Sequence, residues 1–422
     1  MDIRLAYGKE VLPLHLDDQL FIDVIEPKYT DPLPSPGEKI REALRNPINS
    51  SPLNKRISQD STVGIVFSDI TRPVPNKIIL PIILEEISHV KKDNIKLFNA
   101  LGTHRANSDE ELRTMLGFEI FDEYPVIQNS AFDRSTQKNL GFTSRGNEIF
   151  INRELAACDS IILTGFIEPH FFAGFSGGSK AIMPGMAGID TVLKNHGPEM
   201  ISNPNASFGI TNGNPIWEEI TEIGLLFKNT FLVNVTLNRD KQITGIFSGD
   251  LRKAHEAGCL YAKNLSMAPV NEAYDIVITT NSGYPLDINL YQSVKGMSAA
   301  ARILKQGGSI VIAAECMDGI PEHGCYGTLL KESGSPQNLL DRIFTSKEIT
   351  PDQWQAQIQA QIQLRTEIFV YSDRLSNEEI ESAMLKPSRS IENTASYLVQ
   401  KHGENARICI LPEGPQTIPY LL

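Results

Sequence analysis

The sequence predicts an α/β protein of two domains with mostly parallel sheets. The chain has 422 residues, more than one hydrophobic core usually supports, which indicates two or three domains. Short apolar runs alternate with helical stretches in the order strand, loop, helix, an order typical of parallel α/β sheets. This series occurs twice, and a linker-like stretch at 266–271 separates the two copies.

The first series begins with a hairpin and continues as buried strands. Residues 3–7 and 11–16 flank a Gly-Lys-Glu turn, which predicts a β-hairpin. A capping box formed by Ser108 and Glu111 predicts the start of a helix. The expected buried strands are 63–67, 95–101 and 160–164, followed by a hairpin of 230–235 with 243–247 and a helix at 251–262.

The second series defines the domain boundary. Its expected strands are 274–279, 309–313, 368–371 and 406–411. We therefore place the boundary near 266–273, between an N-terminal α/β domain at 1–268 and a C-terminal α/β domain at 272–405.

The composition excludes several classes of protein. The chain is 41% hydrophobic and 21% charged, with a formal net charge of −12, which argues against nucleic acid bound through a general basic surface. The five cysteines form no CxxC pair, so neither a disulfide framework nor a zinc ribbon is predicted. The N-terminus has no signal-peptide core, and no apolar run reaches membrane-spanning length. We expect a cytoplasmic protein with no membrane or nucleic-acid partner.

Three loops at predicted strand ends carry unusual chemistry, and ligands bind at this edge of an open α/β sheet. The first loop, 68–73, places Asp69, Thr71 and Arg72 in one turn. The Arg72 guanidinium could bind a carboxylate or a phosphate, and Asp69 could orient the Arg72 side chain. The same residues also suit a helix N-cap with a local ion pair. Both interpretations stay open.

The second loop carries His104, in LGTHR at 101–105. A lone histidine is more often structural than functional. Its place just after a strand favours a general base or a metal ligand.

The third loop, 165–180, is rich in glycine and ends in Lys180. Gly177, Gly178 and Ser179 allow backbone N–H groups to approach an anion closely, which predicts a phosphate cradle. The loop is not a Walker A motif, because Ser179 rather than glycine precedes the lysine, and it is not a GxGxxG fingerprint. The alternative is a tight turn packed against a neighbour.

Two further histidines flank Lys180 in the sequence. His170 lies in the same loop, and His196 lies sixteen residues beyond the lysine. No HExxH motif occurs. If His104, His170 and His196 meet in space, they suit a metal, a pair of bases, or both.

The second domain adds polar groups at helical spacing. If this stretch is helical, Tyr291 and Lys295 are four residues apart and lie on one face of the helix. Gln292 and Lys295 are three residues apart, so their side chains can also meet. A lysine and an amide on one face suit a carboxylate. The alternative is an exposed, solvated face. Trp354 could line a pocket, although packing is the usual role of a tryptophan.

Together these residues resemble the nickel-dependent lactate racemase family over nearly the whole chain. Five motifs in the same order carry the resemblance, and their combination is far more specific than each one alone. They are DITRP at 69–73, GTHR at 102–105, EPHFFAGFSGGSKAIMPG at 168–185, NH at 195–196 and GYPLDINLYQSVKGM at 283–297.

The resemblance implies a nickel cofactor, the pyridinium-3,5-bisthiocarboxylic acid mononucleotide or nickel-pincer nucleotide. Lys180 matches the lysine that holds it covalently, and His196 matches the metal ligand. His104 and His170 match two bases on opposite faces of the substrate. Cofactor contacts match Asp69, Thr71, Arg72, Gly177, Gly178 and Ser179, and substrate contacts match Arg72, Tyr291, Gln292, Lys295 and Trp354.

The resemblance also implies an activity and a fold. The activity is racemisation or epimerisation of a 2-hydroxy acid, lactate or a related acid, by reversible hydride transfer to the cofactor. Removing hydride avoids building carbanion charge beside a carboxylate. The implied active site lies in the cleft between two α/β domains, and the tail at about 406–422 is expected to return to the first domain. Implied partners are a small 2-hydroxy acid and the cofactor-synthesis proteins.

Two other functions remain open at this stage. One is a metal-dependent hydrolase that uses the three histidines. The other is a non-catalytic cofactor-binding protein. Lys180 distinguishes the hydrolase hypothesis from the racemase hypothesis, because a simple metal hydrolase does not need a lysine that holds a cofactor.

Overall fold

The computed structural model describes residues 1–321 and 324–422, which form two compact units. The amino-terminal unit contains Tyr29–His196 and Pro204–Leu265. The carboxy-terminal unit contains Met1–Lys28, Gly197–Asn203 and Ser266–Leu422.

The strands alternate with helices along most of the chain. The strands are β1 (Asp2–Tyr7), β2 (Glu10–His15), β3 (Phe21–Val24), β4 (Val63–Ser68), β5 (Ile95–Ala100), β6 (Val126–Gln128), β7 (Gln137–Phe142), β8 (Glu148–Asn152), β9 (Ser160–Phe166), β10 (Pro169–His170), β11 (Gly174–Phe175), β12 (Thr230–Leu237), β13 (Ile243–Gly249), β14 (Met267–Val270), β15 (Tyr274–Thr280), β16 (Leu304–Ala313), β17 (Glu367–Tyr371), β18 (Lys386–Ser388), β19 (Arg407–Leu411) and β20 (Ile418–Leu421).

Most helices are short and lie between successive strands. The helices are α1 (Pro36–Arg45), α2 (Leu53–Arg56), α3 (Asn76–Glu86), α4 (Asp109–Leu116), α5 (Phe118–Glu123), α6 (Ile189–Asn195), α7 (Pro198–Ile201), α8 (Pro215–Gly224), α9 (Leu251–Ser266), α10 (Leu290–Ala301), α11 (Tyr326–Ser333), α12 (Pro336–Thr345), α13 (Gln353–Gln363), α14 (Asn377–Ser382) and α15 (Ile391–His402).

The amino-terminal unit is built on a six-stranded sheet of order β13-β12-β9-β4-β5-β6. All neighbours run parallel except β13, which is antiparallel to β12. β9 is buried along its whole length, as expected for a parallel strand covered on both faces. The carboxyl ends of β4, β5 and β9 lead into the three loops that carry the predicted site residues.

Apolar faces of α1 and α3 cover one side of this sheet. Ile40 and Leu44 on α1 and Ile79 and Ile83 on α3 share a buried core with Phe67 of β4. Fully burying one such side chain is worth about 1.5–3 kcal/mol. The cluster therefore holds the strand ends, and the loops that leave them, on a rigid base.

The carboxy-terminal unit contains a second six-stranded sheet, of order β18-β17-β16-β15-β19-β3, in which all neighbours are parallel. The N-terminal hairpin packs on it, since Leu5 and Leu14 share a core with Ile278 and Ile410. The tail also belongs here, because β19 pairs with β15, and β20 pairs with β14.

These placements differ from the domain bounds that the sequence predicts. Residues 1–28 and 406–422 lie in the carboxy-terminal unit, whereas the predicted bounds and the family resemblance assign both to the first domain. Long-range strand pairing and the shared apolar core decide where they lie. The stretch 266–271, expected to be a linker, instead contains β14.

The predicted fold class, mixed α/β with mostly parallel sheets, is confirmed. Both predicted hairpins form, as β1–β2 and β12–β13. All five cysteines are free thiols. Among residues 1–321 and 324–422, no helix has the length and apolar character needed to cross a membrane.

Candidate active site

The loop after β4 and the loop after β5 meet through Asp69 and His104. Asp69 is buried, and its Oδ1 accepts a hydrogen bond from the Thr71 hydroxyl at 2.8 Å. Its Oδ2 lies 2.5 Å from Nδ1 of His104. Because an ionised carboxylate only accepts, His104 donates from Nδ1, and the lone pair of the neutral ring lies on Nε2. The His104 side chain is 46% exposed, so this nitrogen is open to a small molecule.

The charge on Asp69 is stabilised by its neighbours. Burial on its own raises the pKa of Asp69, but the hydrogen bond and charge of His104, together with the charge of Arg72, outweigh burial and lower that pKa. One Asp69 oxygen therefore accepts a hydrogen bond from Thr71 and the other accepts one from His104, while Arg72 acts on Asp69 through its charge. This differs from the sequence interpretation, in which Asp69 orients Arg72.

A second cluster forms around the ring of Phe172, at the tip of the small β10–β11 hairpin. Its ring centroid lies 4.6 Å from the ring of His170 and 4.9 Å from the ring of His196. The Nζ atom of Lys180 lies 5.8 Å from the same centroid. Three of the predicted site residues thus lie around one aromatic ring.

His170 has the opposite hydrogen-bonding arrangement to His104. The backbone N–H of Ala173 donates to its Nδ1 at 3.2 Å. That nitrogen must carry the lone pair, so the hydrogen of neutral His170 lies on Nε2. His104 therefore presents a proton-accepting lone pair at Nε2, whereas the neutral His170 ring presents a hydrogen-bond donor, Nε2–H.

Close packing explains the glycines before Lys180. Gly177 and Gly178 have positive φ angles of 77° and 57°. A Cβ on Gly178 would lie 2.7 Å from the ring of His255, and one on Gly177 would lie 2.5 Å from the Asn234 side-chain oxygen. The Gly178 N–H donates to the same oxygen at 2.8 Å. In this arrangement Gly178 provides a tight turn, and its N–H is already engaged rather than available to an anion.

Asn234 and His255 are supports that the sequence analysis does not identify. His255 is buried on α9, and its Nε2 lies 2.9 Å from the carbonyl oxygen of Ser176, to which it donates. Asn234 interrupts the apolar run of the buried strand β12, between Val233 and Val235, which is a recognisable signal in the sequence. Burial of His255 has no comparable local signal.

Lys180 and His196 both favour the neutral form. Burial, with a smaller effect from the charge of Arg72, lowers the pKa of Lys180 to about 7. Burial, with a smaller effect from the charge of Lys180, lowers the pKa of His196 to about 3. A neutral amine can act as a nucleophile and a neutral imidazole can bind a metal ion. Both are the states that the predicted roles require.

The predicted substrate residues of the second series lie on α10 and α13. The helix predicted around 291–297 is confirmed as α10. Lys295 Nζ donates to Gln292 Oε1 at 2.7 Å, so the two side chains do converge. The hydroxyl of Tyr291 donates to Asp352 at 3.0 Å, and Trp354 is buried at the start of α13. The face is half-buried and hydrogen-bonded rather than fully solvated.

The structure thus forms two groups of predicted residues. The group formed by the three loops lies in the amino-terminal unit, and the group on α10 and α13 lies in the carboxy-terminal unit. Within the described part of the chain, no three or more His, Cys, Asp or Glu side chains are grouped closely enough to hold a metal ion.

Comparisons with known proteins cover almost the whole chain. Family models described as the N-terminal and C-terminal domains of lactate racemase match residues 7–209 and 270–418. The chain is 34% identical to lactate racemase of Thermoanaerobacterium thermosaccharolyticum over 422 residues, 99% of each protein. It is 35% identical to lactate racemase of Lactiplantibacillus plantarum over 418 residues, 98% of each.

A comparison with solved structures also finds a lactate racemase with a similar fold. The lactate racemase apoprotein of Thermoanaerobacterium thermosaccharolyticum superposes with a TM-score of 0.93 at 33% identity, covering 99% of this chain and 100% of that one. A protein of Thermotoga maritima superposes with a TM-score of 0.69 at 18% identity, covering 93% of this chain and 100% of that one, a likeness of fold alone.

Proposed function

The chain belongs to the lactate racemase family, and from this premise we propose that it racemises or epimerises a small 2-hydroxy acid, with His104 and His170 as the two proton-transferring groups. The family makes it an enzyme, an isomerase of the racemase class. One observation carries the finer proposal: His104 donates from Nδ1 to Asp69, whereas His170 accepts at Nδ1 from Ala173.

This difference gives the two neutral rings complementary groups at Nε2, a lone pair on His104 and an N–H on His170. Nε2 of His104 takes the hydroxyl proton of the substrate, and the carboxylate of Asp69 stabilises the imidazolium that forms. When the hydroxyl is rebuilt on the other side, His170 returns a proton from Nε2 as the imidazolium and is left neutral, because a neutral imidazole is too weak an acid to release its N–H. A second turnover in the same direction requires that each ring return to its starting state by proton exchange. Positioned acid–base groups of this kind are worth about 10²–10⁴-fold in rate.

The substrate carboxylate is proposed to bind cationic and amide groups. Arg72 offers an exposed guanidinium beside Asp69. Gln292 and Lys295 offer an amide and an ammonium that already touch each other at 2.7 Å. Charge-assisted bonds from such groups hold a carboxylate in one orientation while the rest of the molecule turns. Tyr291 and Trp354 are proposed to flank the same substrate. The interdomain cleft stays a prediction.

We propose nickel and the pyridinium-3,5-bisthiocarboxylic acid mononucleotide as the cofactor, with Lys180 as its covalent attachment and His196 as the protein ligand of the metal. When bound, this group supplies a reversible acceptor for the α-hydrogen of the substrate as hydride. The residues present fit it, because burial lowers the pKa of Lys180 to about 7 and so favours the neutral amine that a thioamide link needs, and burial also keeps His196 neutral. Both side chains lie near the Phe172 ring, with Lys180 Nζ 5.8 Å and the His196 ring 4.9 Å from its centroid. Asp69, Thr71, Arg72 and the turn at 177–179 are proposed to lie next to the nucleotide.

The test is a chiral assay of protein produced together with the cofactor-synthesis proteins, against a panel of 2-hydroxy acids. We expect interconversion of at least one pair of stereoisomers, and a loss of about 10²–10⁴-fold in His104→Ala and His170→Ala. His15→Ala is the matched control, since His15 is an exposed histidine that pairs with Asp2. Turnover that survives in both variants would overturn the assignment of the two histidines.

A further inference from the structure

Helix α8 supports three of the segments that carry predicted site residues. At its N-cap, the Asn214 amide donates to the Phe172 carbonyl oxygen at 2.9 Å. At its C-terminal end, Gly224 packs so closely on Ser179, next to Lys180, that a Cβ there would lie 2.3 Å from the serine hydroxyl oxygen. Between these points lies Glu219, whose role is not explained by packing alone.

Glu219 is a buried carboxylate with a complete set of donors. It is 2% exposed and lies on the buried side of α8, beside Ile216, Ile220 and Ile223. Its Oε1 accepts from the Thr143 hydroxyl at 2.8 Å. Its Oε2 accepts from the side-chain amides of Asn147 at 3.1 Å and Asn195 at 2.7 Å. A buried charge is tolerated when it is satisfied in this way, and an ionised carboxylate can only accept.

The carboxylate fixes the orientation of the Asn195 amide. Because Glu219 accepts, the NH₂ group of Asn195 must face it, and this NH₂ also lies 3.4 Å from the Ile216 carbonyl oxygen. The Asn195 oxygen therefore faces the other way, 3.0 Å from Nδ1 of His196. That oxygen only accepts, so His196 donates from Nδ1, and the lone pair of the ring lies on Nε2.

We propose that Glu219 is a positioning residue for the metal ligand and acts through Asn195 to keep His196 in the tautomer that presents Nε2. The inference rests on the proposed role of His196. A hydrogen-bonded second residue commonly fixes the tautomer and the ring orientation of a histidine that binds a metal, and its loss typically costs 10–100-fold in metal affinity. Here the second residue is a neutral amide, and the buried charge behind it decides which way that amide points.

The first measurement uses the apoprotein and is independent of the cofactor. Nitrogen chemical shifts of ¹⁵N-histidine report which ring nitrogen carries hydrogen, and the His196 signal is assigned from its absence in His196→Gln. We expect an Nδ1–H ring in the wild type and in Glu219→Gln, whose amide oxygen can still accept from Asn195. We expect a mixture of tautomers in Glu219→Met and in Asn195→Ala. An unchanged His196 tautomer in folded Glu219→Met or Asn195→Ala would overturn the relay.

The second measurement uses the holoenzyme and follows nickel release into excess chelator, with intact mass as a check that the Lys180 adduct is retained. We expect release about 10–100-fold faster in Glu219→Met and near the wild-type rate in Glu219→Gln. Thr143→Val is the matched control: it removes a donor from the same buried carboxylate without touching Asn195, and we expect no change in release. Equal acceleration in Thr143→Val and Glu219→Met would reduce Glu219 to a structural residue and overturn the proposal.

The two measurements separate this inference from the proposed function. If His196→Ala retains nickel as the wild type does, His196 is not the metal ligand, and the cofactor assignment fails. The tautomer measurement still decides whether Glu219 acts on His196 through Asn195.

Discussion

His104 and Asp69 form a 2.5 Å hydrogen bond between a half-exposed imidazole and a carboxylate that is almost fully buried. The two residues leave different strands of the amino-terminal sheet, β5 and β4, which are neighbours in it. The bond sets the tautomer of His104, and the buried charge is positioned to stabilise the protonated ring. The His104 ring is therefore paired directly with a carboxylate charge.

Asp69→Asn tests this arrangement. The amide oxygen can still accept from His104, and the amide NH₂ can face Thr71, so the geometry survives while the charge is lost. We expect kcat to fall about 10²–10⁴-fold with little change in KM, because the charge matters when the imidazolium forms. Asp159→Asn is the control, since that exposed carboxylate bonds only Thr62 in the described structure. A variant that keeps its kcat would contradict the role of Asp69.

Lys180 predicts a pH dependence of the stability of the apoprotein. Its pKa is lowered from 10.5 to about 7, first by burial and then by the charge of Arg72. Between these two pH values the unfolded chain binds a proton that the folded chain has released, so the stability of the fold increases with pH across that window. We expect the thermal midpoint of wild type, relative to Lys180→Met, to rise from pH 7 towards pH 10. Parallel curves for the two proteins would show that the amine is not desolvated.

Lys295→Met tests recognition of the substrate carboxylate. The ammonium touches Gln292 and is proposed to make a charge-assisted bond to the substrate, worth about 1.5–3 kcal/mol. We expect KM to rise about 10–100-fold, with kcat affected less if the carboxylate is held equally in the ground state and the transition state. Lys305→Met is the control, an exposed lysine of the same unit that pairs with Asp275. A KM unchanged in Lys295→Met would remove this residue from the substrate site.

The strands were predictable because their signal is local. β4, β5 and β9 begin at residues 63, 95 and 160, where the apolar runs begin. The pairing of β3 with β19 was not predictable, since it joins Phe21 to Arg407 and no local pattern encodes a partner so distant. For the same reason the sequence did not indicate that Met1–Lys28 pack with the carboxy-terminal unit.

The site was predictable in its residue types and less so in its contacts. That Asp69 would bond His104 rather than orient Arg72 depends on how two strand ends meet, which no spacing within one loop reveals. Glu219 was missed because it lies in a charged stretch of sequence and resembles a surface residue. Its spacing is the signal that could have found it: Ile216, Glu219 and Ile223 recur at three and four residues, which places a carboxylate on the apolar stripe of α8.

Gly178→Ala tests whether the turn before Lys180 is held by close packing. A Cβ at this position meets the His255 ring at 2.7 Å, on a backbone with positive φ. Gly141 also has a positive φ, but a Cβ there meets no atom within 4 Å, so Gly141→Ala measures the backbone strain alone. We expect Gly178→Ala to lower the free energy of unfolding of the apoprotein by about 1–3 kcal/mol more than Gly141→Ala, measured with urea.

Removing the His255 ring should relieve that clash. His255→Ala loses the hydrogen bond to the Ser176 carbonyl oxygen and destabilises the loop by itself. In combination with Gly178→Ala it also makes room for the new methyl group, so the double variant should lose less stability than the sum of the two single variants. Strictly additive losses would show that the loop shifts away from His255 at little cost. In that case the position of Lys180 would depend on Asn234 and α8 rather than on the packing of this glycine.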